Sequence, residues 1–248
     1  MSTIRFNPPL IAHRGASAHA PENTMAAFRC AAESGAKWIE FDVHLTHDGV
    51  PIIIHDDTFD RTTDGTGKIA DTKWADVQKL DAGNWFDPKF KGERVPHLAE
   101  VLKLALERNL RPMIEIKPCE GRAMATTMVT LIEASKIWPR DDAPPVILSF
   151  DPEVLGIASK FQPHWPRGYS LEDWHDDWRE EAAKVEAELI SADAEWLTHE
   201  RVNLFLRSSG STLLAYTVND PARAKELLSQ GVAAIFCDDP SAMGAALK

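Results

Sequence analysis

Between Ile11 and His55 the chain sets two histidines, an arginine and two carboxylates at the ends, or along one face, of short apolar runs. His13 and Arg14 close the run Leu10 to Ala12, and His55 closes Ile52 to Ile54. From Trp38 to Leu45 the alternation is strict. Ile39, Phe41, Val43 and Leu45 share one face and Glu40, Asp42 and His44 the other, as the two-residue period of a strand requires. Glu40 and Asp42 therefore project together. Two such carboxylates repel unless a proton or cation lies between them, and oxygen ligands alone suit a hard divalent ion such as Mg²⁺ or Ca²⁺. The competing reading is a solvent-exposed strand face with ordinary charges, and for each histidine a hydrogen-bonded structural role. Met113 to Lys117 repeats the alternation, placing Glu115 and Lys117 opposite Ile114 and Ile116.

Three carboxylates for a metal, two imidazoles that titrate near neutrality, and two fixed cations make a set suited to phosphoryl chemistry. Cations offset the charge that builds on non-bridging oxygens. One histidine removes a proton from the nucleophile while the other protonates the leaving alkoxide.

These residues lie in motifs that resemble the glycerophosphodiester phosphodiesterase family. HRGxSxxxPENT runs from His13 to Thr24, EFDVxxTxDGxPIIxHD from Glu40 to Asp56, and EIK from Glu115 to Lys117. The likeness continues through RTTDGTG at Arg61 to Gly67, FKGERVPHLAEVL at Phe90 to Leu102 and YTVN at Tyr216 to Asn219, so it covers almost the whole chain. It implies a (β/α)₈ barrel that hydrolyses glycerophosphodiesters, such as glycerophosphocholine and glycerophosphoethanolamine, to glycerol 3-phosphate and an alcohol, using a divalent cation and a histidine pair. His13 is assigned as base and His55 as acid in a substrate-assisted route through a cyclic phosphate. Arg14 and Lys117 bind the phosphate, and Glu40, Asp42 and Glu115 hold Mg²⁺ or Ca²⁺. Phe150 and Tyr216, ending two strands, are candidates for contact with the glycerol carbons; the family more often has tryptophan where Tyr216 stands. Two alternatives are a lysophospholipase D type of phosphodiesterase acting on longer lipids and a catalytically silent barrel that binds metal and phosphate. The first would favour an apolar mouth and membrane contact. The second predicts loss of a histidine or carboxylate, and none is missing.

The net charge of −11 argues against nucleic acid or an anionic membrane as partner, while Arg14, Lys117 and a metal reverse the sign locally for a small anion. Cys30, Cys119 and Cys237 are odd in number and without CxxC spacing, which points to neither a disulfide framework nor a zinc site and fits a cytoplasmic protein. The opening MSTIRFNPPLIAHRG has no signal-peptide core, and no apolar run is long enough to span a bilayer. Oligomeric state is not legible.

The elements that must position these residues alternate along 248 residues, a length that suits one barrel domain. Strands are expected at Leu10 to Ala12, Trp38 to Leu45, Met113 to Ile116, Val146 to Phe150, Gly168 to Leu171, Glu188 to Ala192, Leu213 to Val218 and Ala233 to Cys237. Helices are expected from Asn23 or Thr24 to Ser34, from Leu98, and at Arg122 to Ser135, Pro152 to Phe161, Asp176 to Val185, Thr198 to Ser208, Pro221 to Gln230 and Pro240 to Leu247. Eight such units at this length predict a closed parallel barrel, with chemistry at the carboxyl ends of the strands. Val50 to His55 returns as a hairpin arm after Asp48 and Gly49. Residues 57–95 break the alternation and read as an insertion over the barrel mouth, with short helices, for example at Lys73 to Leu80. Trp85 either lines the alcohol end of the substrate or anchors this insertion. Trp174 and Trp178 are either a wall of the cleft or helix packing. Asp56 and Asn23 are read as orienting or capping their neighbours, and His19, His44, His47, His97, His164, His175 and His199 as surface or structural.

Overall fold

The computed structural model describes residues 4–175, 177–208 and 210–248. Eight strands are parallel and closed: β1 (Leu10–Ala12), β2 (Trp38–Leu45), β4 (Arg111–Ile116), β5 (Val146–Ser149), β6 (Arg167–Leu171), β7 (Leu189–Asp193), β8 (Thr212–Tyr216) and β9 (Ala234–Cys237). Closure comes from β1, which pairs with β2 on one side and β9 on the other. The remaining strand, β3 (Pro51–Ile53), runs antiparallel to β2 with Val43 opposite Ile53. The expected (β/α)₈ barrel with an insertion after the hairpin is thus the observed fold.

Helices α1 (Met25–Glu33), α3 (Leu98–Arg108), α4 (Ala123–Ile137), α5 (Pro152–Phe161), α6 (Trp178–Lys184), α7 (His199–Ser208), α8 (Pro221–Ser229) and α9 (Pro240–Ala246) surround the strands, while α2 (Trp74–Val77) lies in the insertion. Their starts follow local chemistry. Thr24 accepts a hydrogen bond from the Ala27 amide to open α1. Three Asp-Pro pairs open α5, α8 and α9: Asp151, Asp220 and Asp239 each accept from an amide of the first turn, and the proline takes the first helical position, where its missing N–H costs nothing. The helix expected at Asp176 to Val185 forms over Trp178–Lys184, and Asp176 itself lies outside the described residues. Strand β4 starts two residues before the expected Met113, because Arg111 pairs opposite Trp38 and its guanidinium stacks over that indole at 4.3 Å.

The barrel interior divides along its axis. Ile11, Trp38, Met113, Val146, Leu148, Leu189, Leu214, Ala234 and Phe236 form an apolar plug. Further along the same inward faces come Glu40 and Asp42, one and two pleats beyond Trp38, and Glu115, one beyond Met113, with Asp42 opposite Glu115. The other faces, including Ile39, Phe41, Val43, Ile114 and Ile116, pack outward against the helices. All eight residues of β2 are buried, so the reading of Glu40 and Asp42 as an ordinary solvent-exposed face is wrong.

The segment 57–95 contains α2 and two single 3₁₀ turns, and it buries Phe59, Ile69, Val77, Ala82 and Val95 against Ile52 and Ile54 of the hairpin arm. Asp81 organises it by accepting from the amides of Gly83, Asn84 and Gly92 at 2.9, 2.8 and 2.6 Å. Among the described residues, no helix is long and apolar enough to cross a membrane.

Candidate active site

Three carboxylates meet at the carboxyl end of the barrel, with one oxygen each of Glu40, Asp42 and Glu115 within 4.8 Å of one another. Glu40 and Asp42 come from one strand at i and i+2, and Glu115 from the neighbour opposite Asp42. Their protonation is uneven. Burial, then Asp42 and Glu115, push Glu40 well above the usual carboxylate range. Burial and the Asp42 charge likewise raise Glu115 to about 7, against the pull of Lys117. Burial also acts on Asp42, but Arg14, Lys117, His55 and the Asn23 amide outweigh it and hold Asp42 below its ordinary value.

The cations line this cluster. Arg14, in the left-handed region at φ 55°, donates its backbone N–H to Glu40 Oε2 at 3.0 Å, and its guanidinium lies 2.9 Å from Glu22 and 3.5 Å from Asp42. Gly15 follows at φ 85°, and a β-carbon there would stand 2.7 Å from Ala27 of α1, so this turn requires glycine. Lys117 Nζ lies 3.5 Å from Glu115 and 3.8 Å from Asp42. Asn23 donates to Asp42 Oδ2 at 2.8 Å.

Each histidine is held by an aspartate. His13 Nδ1–H donates to Asp238 at 2.8 Å, and Asp238 also accepts from Ser17 and Asn219 at 3.1 and 2.6 Å. His55 Nδ1–H donates to Asp56 at 2.7 Å, and Arg61 joins Asp56 to Glu22 through bonds of 2.7–2.9 Å. A carboxylate only accepts, so both rings carry a proton on Nδ1 and direct Nε2 away from the aspartate. His55 Nε2 accepts from Lys117 Nζ at 3.0 Å. Burial, with Arg14 and Lys117, lowers the His55 pKa despite the Asp42 charge.

The structure therefore brings His55, Arg14, Lys117, Glu40, Asp42 and Glu115 into one network, with His13 beside Arg14 in the chain. Phe150 and Tyr216 meet edge to face at 5.8 Å just past the carboxyl end of β5 and at the end of β8, and the Tyr216 hydroxyl donates to the Leu171 carbonyl. Trp85 donates its indole N–H to Ala82 at 2.9 Å and packs against Phe86, contacts within the insertion. Trp178 is buried against Phe205 in the helical layer, as helix packing requires. His97 caps α3 by accepting from the Ala99 amide. Asp238, Ser17, Glu22 and Arg61 were not singled out from sequence. The available signal for Asp238 was a carboxylate closing the last apolar run, in the position that His55 holds on the hairpin arm.

The donor set fits a hard divalent ion. It offers oxygens alone, two of its carboxylates are pushed up by burial and then by their neighbours' charge, and Glu115 Oε1 is buried without a hydrogen-bond partner.

A closed parallel barrel with acidic residues, cations and Asp-held histidines at the carboxyl ends of its strands has the site placement of a (β/α)₈ enzyme. The comparison with known proteins narrows this. The sequence profile of the glycerophosphoryl diester phosphodiesterase family matches residues 13–242, and the chain belongs to that family. It is 36% identical over 240 residues to the glycerophosphodiester phosphodiesterase of Caldanaerobacter subterraneus subsp. tengcongensis, covering 94% of this chain and 95% of that one. The Bacillus subtilis glycerophosphodiester phosphodiesterase is 34% identical, covering 93% and 83%. An Oleispira antarctica phosphodiesterase solved with the product sn-glycerol-3-phosphate superposes with a TM-score of 0.93 at 34% identity, covering 97% of this chain and 96% of that one. The protein is accordingly an enzyme of the glycerophosphodiester phosphodiesterase class.

Proposed function

We propose that the enzyme hydrolyses small glycerophosphodiesters such as glycerophosphocholine and glycerophosphoethanolamine to glycerol 3-phosphate and the free alcohol, in the cytoplasm and with a divalent cation. The observation that carries this reading is the buried carboxylate cluster at the carboxyl end of the barrel, with two imidazoles each held through Nδ1 by an aspartate. Glu40, Asp42 and Glu115 would hold Mg²⁺ or Ca²⁺, which supplies Lewis acidity that lowers the pKa of a nearby hydroxyl and offsets charge on phosphoryl oxygens.

The residues of the chain then divide the work. Arg14 and Lys117 bind the phosphate oxygens. His13 Nε2 takes the proton of the glycerol C2 hydroxyl as that oxygen attacks phosphorus. The bond from phosphorus to the alcohol oxygen breaks, and His55 Nε2 delivers a proton to it. Water opens the resulting cyclic phosphate with the roles of the two histidines exchanged. The field that depresses His55 comes in part from Arg14 and Lys117. Phosphate bound between those cations offsets it, favouring the imidazolium that the acid step needs. Phe150 and Tyr216 offer an apolar wall to the glycerol carbons.

The test is release of glycerol 3-phosphate from both substrates by purified protein with Mg²⁺, Ca²⁺ or EDTA, beside His13→Ala. Metal-dependent release that disappears in the variant supports the reading. Folded protein that releases none with either ion refutes it and directs attention to longer lipid substrates.

A further inference from the structure

We propose that His44, Asp57 and Cys119 form a second metal site, separate from the carboxylate cluster and selective for a borderline ion of the Zn²⁺ type. One donor atom from each lies within 4.8 Å of the others. His44 sits on the inward face of β2 past Asp42, and it is fully buried. Its Nε2 lies 3.0 Å from the His55 carbonyl, which only accepts, so Nε2 carries the proton. The lone pair of Nδ1 is then directed at the cluster. That atom is buried and has no hydrogen-bond partner, and its nearest acidic neighbour, Asp57 Oδ1, is 3.8 Å away. Two acceptors facing each other without a proton between them are a cost that a cation removes. A ligating imidazole whose other N–H is tied to a backbone carbonyl is the usual arrangement at metal centres.

The chemistry of the donors sets the class of ion. Nitrogen, sulfur and one carboxylate oxygen, with a position left for water, suit Zn²⁺ and disfavour Mg²⁺ or Ca²⁺. Ligand atoms around tetrahedral Zn²⁺ stand roughly 3.4–3.6 Å apart, so donors that lie within 4.8 Å of one another must close by up to about 1.4 Å. The Asp57 side chain, 77% exposed, and the half-buried Cys119 can supply that by rotation. The supporting backbone is pinned. The Asp57 carbonyl accepts from the Ile69 amide, the Cys119 carbonyl from the Arg122 amide, and the Arg122 guanidinium holds the Leu45 and Thr46 carbonyls. Asp57 lies two residues beyond His55 and Cys119 two beyond Lys117, so an ion here ties together the segments that carry both groups.

Co²⁺ titration followed by absorption tests this, because thiolate ligation gives a sulfur-to-metal charge-transfer band that an all-oxygen site cannot. The expected result is a band saturating at one ion per chain, displaced by Zn²⁺ and not by Mg²⁺, and retained in Glu115→Gln and Cys30→Ser. Cys119→Ser should abolish it, and Asp57→Ala, a change at an exposed side chain, should weaken the apparent affinity about tenfold or more. His44→Gln should also abolish it, with circular dichroism reporting its fold. Absence of the band from folded wild type, or its persistence in Cys119→Ser, overturns the proposal.

Discussion

At the residue scale the active site is a set of paired oppositions. Each imidazole leans on a carboxylate, and each carboxylate of the cluster faces a cation or another carboxylate. Replacing His13 or His55 by alanine should cost on the order of a hundredfold to ten-thousandfold in kcat, the usual size of general acid or base catalysis. A steady-state assay showing full turnover in His13→Ala would remove it from the mechanism. In the proposed mechanism Asp238 acts through His13, whose Nδ1–H it accepts. Asp238→Asn should lower kcat on the order of tenfold to a thousandfold, since an amide no longer holds the ring in one tautomer. KM should change little and the pH–rate profile should shift. If KM alone changed, the residue would belong to substrate binding. The chemistry-bearing residues were legible because each closes or alternates with an apolar run. Asp238 was not, since its pairing with His13 spans 225 positions and exists only once β9 closes on β1. His44 was read as surface or structural, and nothing in its alternation reveals that one of its nitrogens is tied and the other bare.

Among the elements, legibility followed regularity. β2 and α5 have the expected ends, because strict alternation and an Asp-Pro start leave one solution. The insertion was legible as an interruption with a short helix near Lys73 to Leu80, where α2 lies; the rest of its order comes from the Asp81 carboxylate and a small apolar cluster, which have no period. Asp81→Ala leaves three amides without an acceptor and should destabilise the protein by about 1–3 kcal/mol. Denaturant unfolding reads this directly, and an unchanged midpoint would show that the insertion holds itself by apolar contact alone. At the turn before α1, Gly15→Ala forces a β-carbon against Ala27 and strains a left-handed backbone. Turnover should fall with it, because Arg14 and His13 move together.

For the whole molecule, stability and metal are linked. Glu115 is raised to about 7, so without a cation the folded protein holds a proton there that the unfolded chain gives up near the ordinary glutamate value. The contribution of this group is therefore present below that ordinary value and is lost as pH rises towards and through about 7. With EDTA present, wild type should lose stability across that window and Glu115→Gln should lose less, since Glu40 keeps its own raised pKa. A divalent ion at a hundred times its Kd adds about 2.7 kcal/mol, which corresponds to roughly 5–10 °C in Tm for a chain of this length. Affinity for the ion should weaken as pH falls below about 7, because a proton then competes for Glu115. Calorimetry at two pH values checks the sign, and tighter binding at the lower pH would contradict the assignment of Glu115 as ligand.

The apolar plug beneath the carboxylates has a bearing on traffic. Ile11, Trp38, Met113 and Phe236 make the barrel a blind-ended cup, so the same opening must admit the diester, discharge the alcohol, let in water and finally release the phosphate monoester. Queueing at a single doorway makes the last occupant an obstacle to the next. Glycerol 3-phosphate should therefore compete with fresh diester for entry, and the enzyme should slow as its own product accumulates.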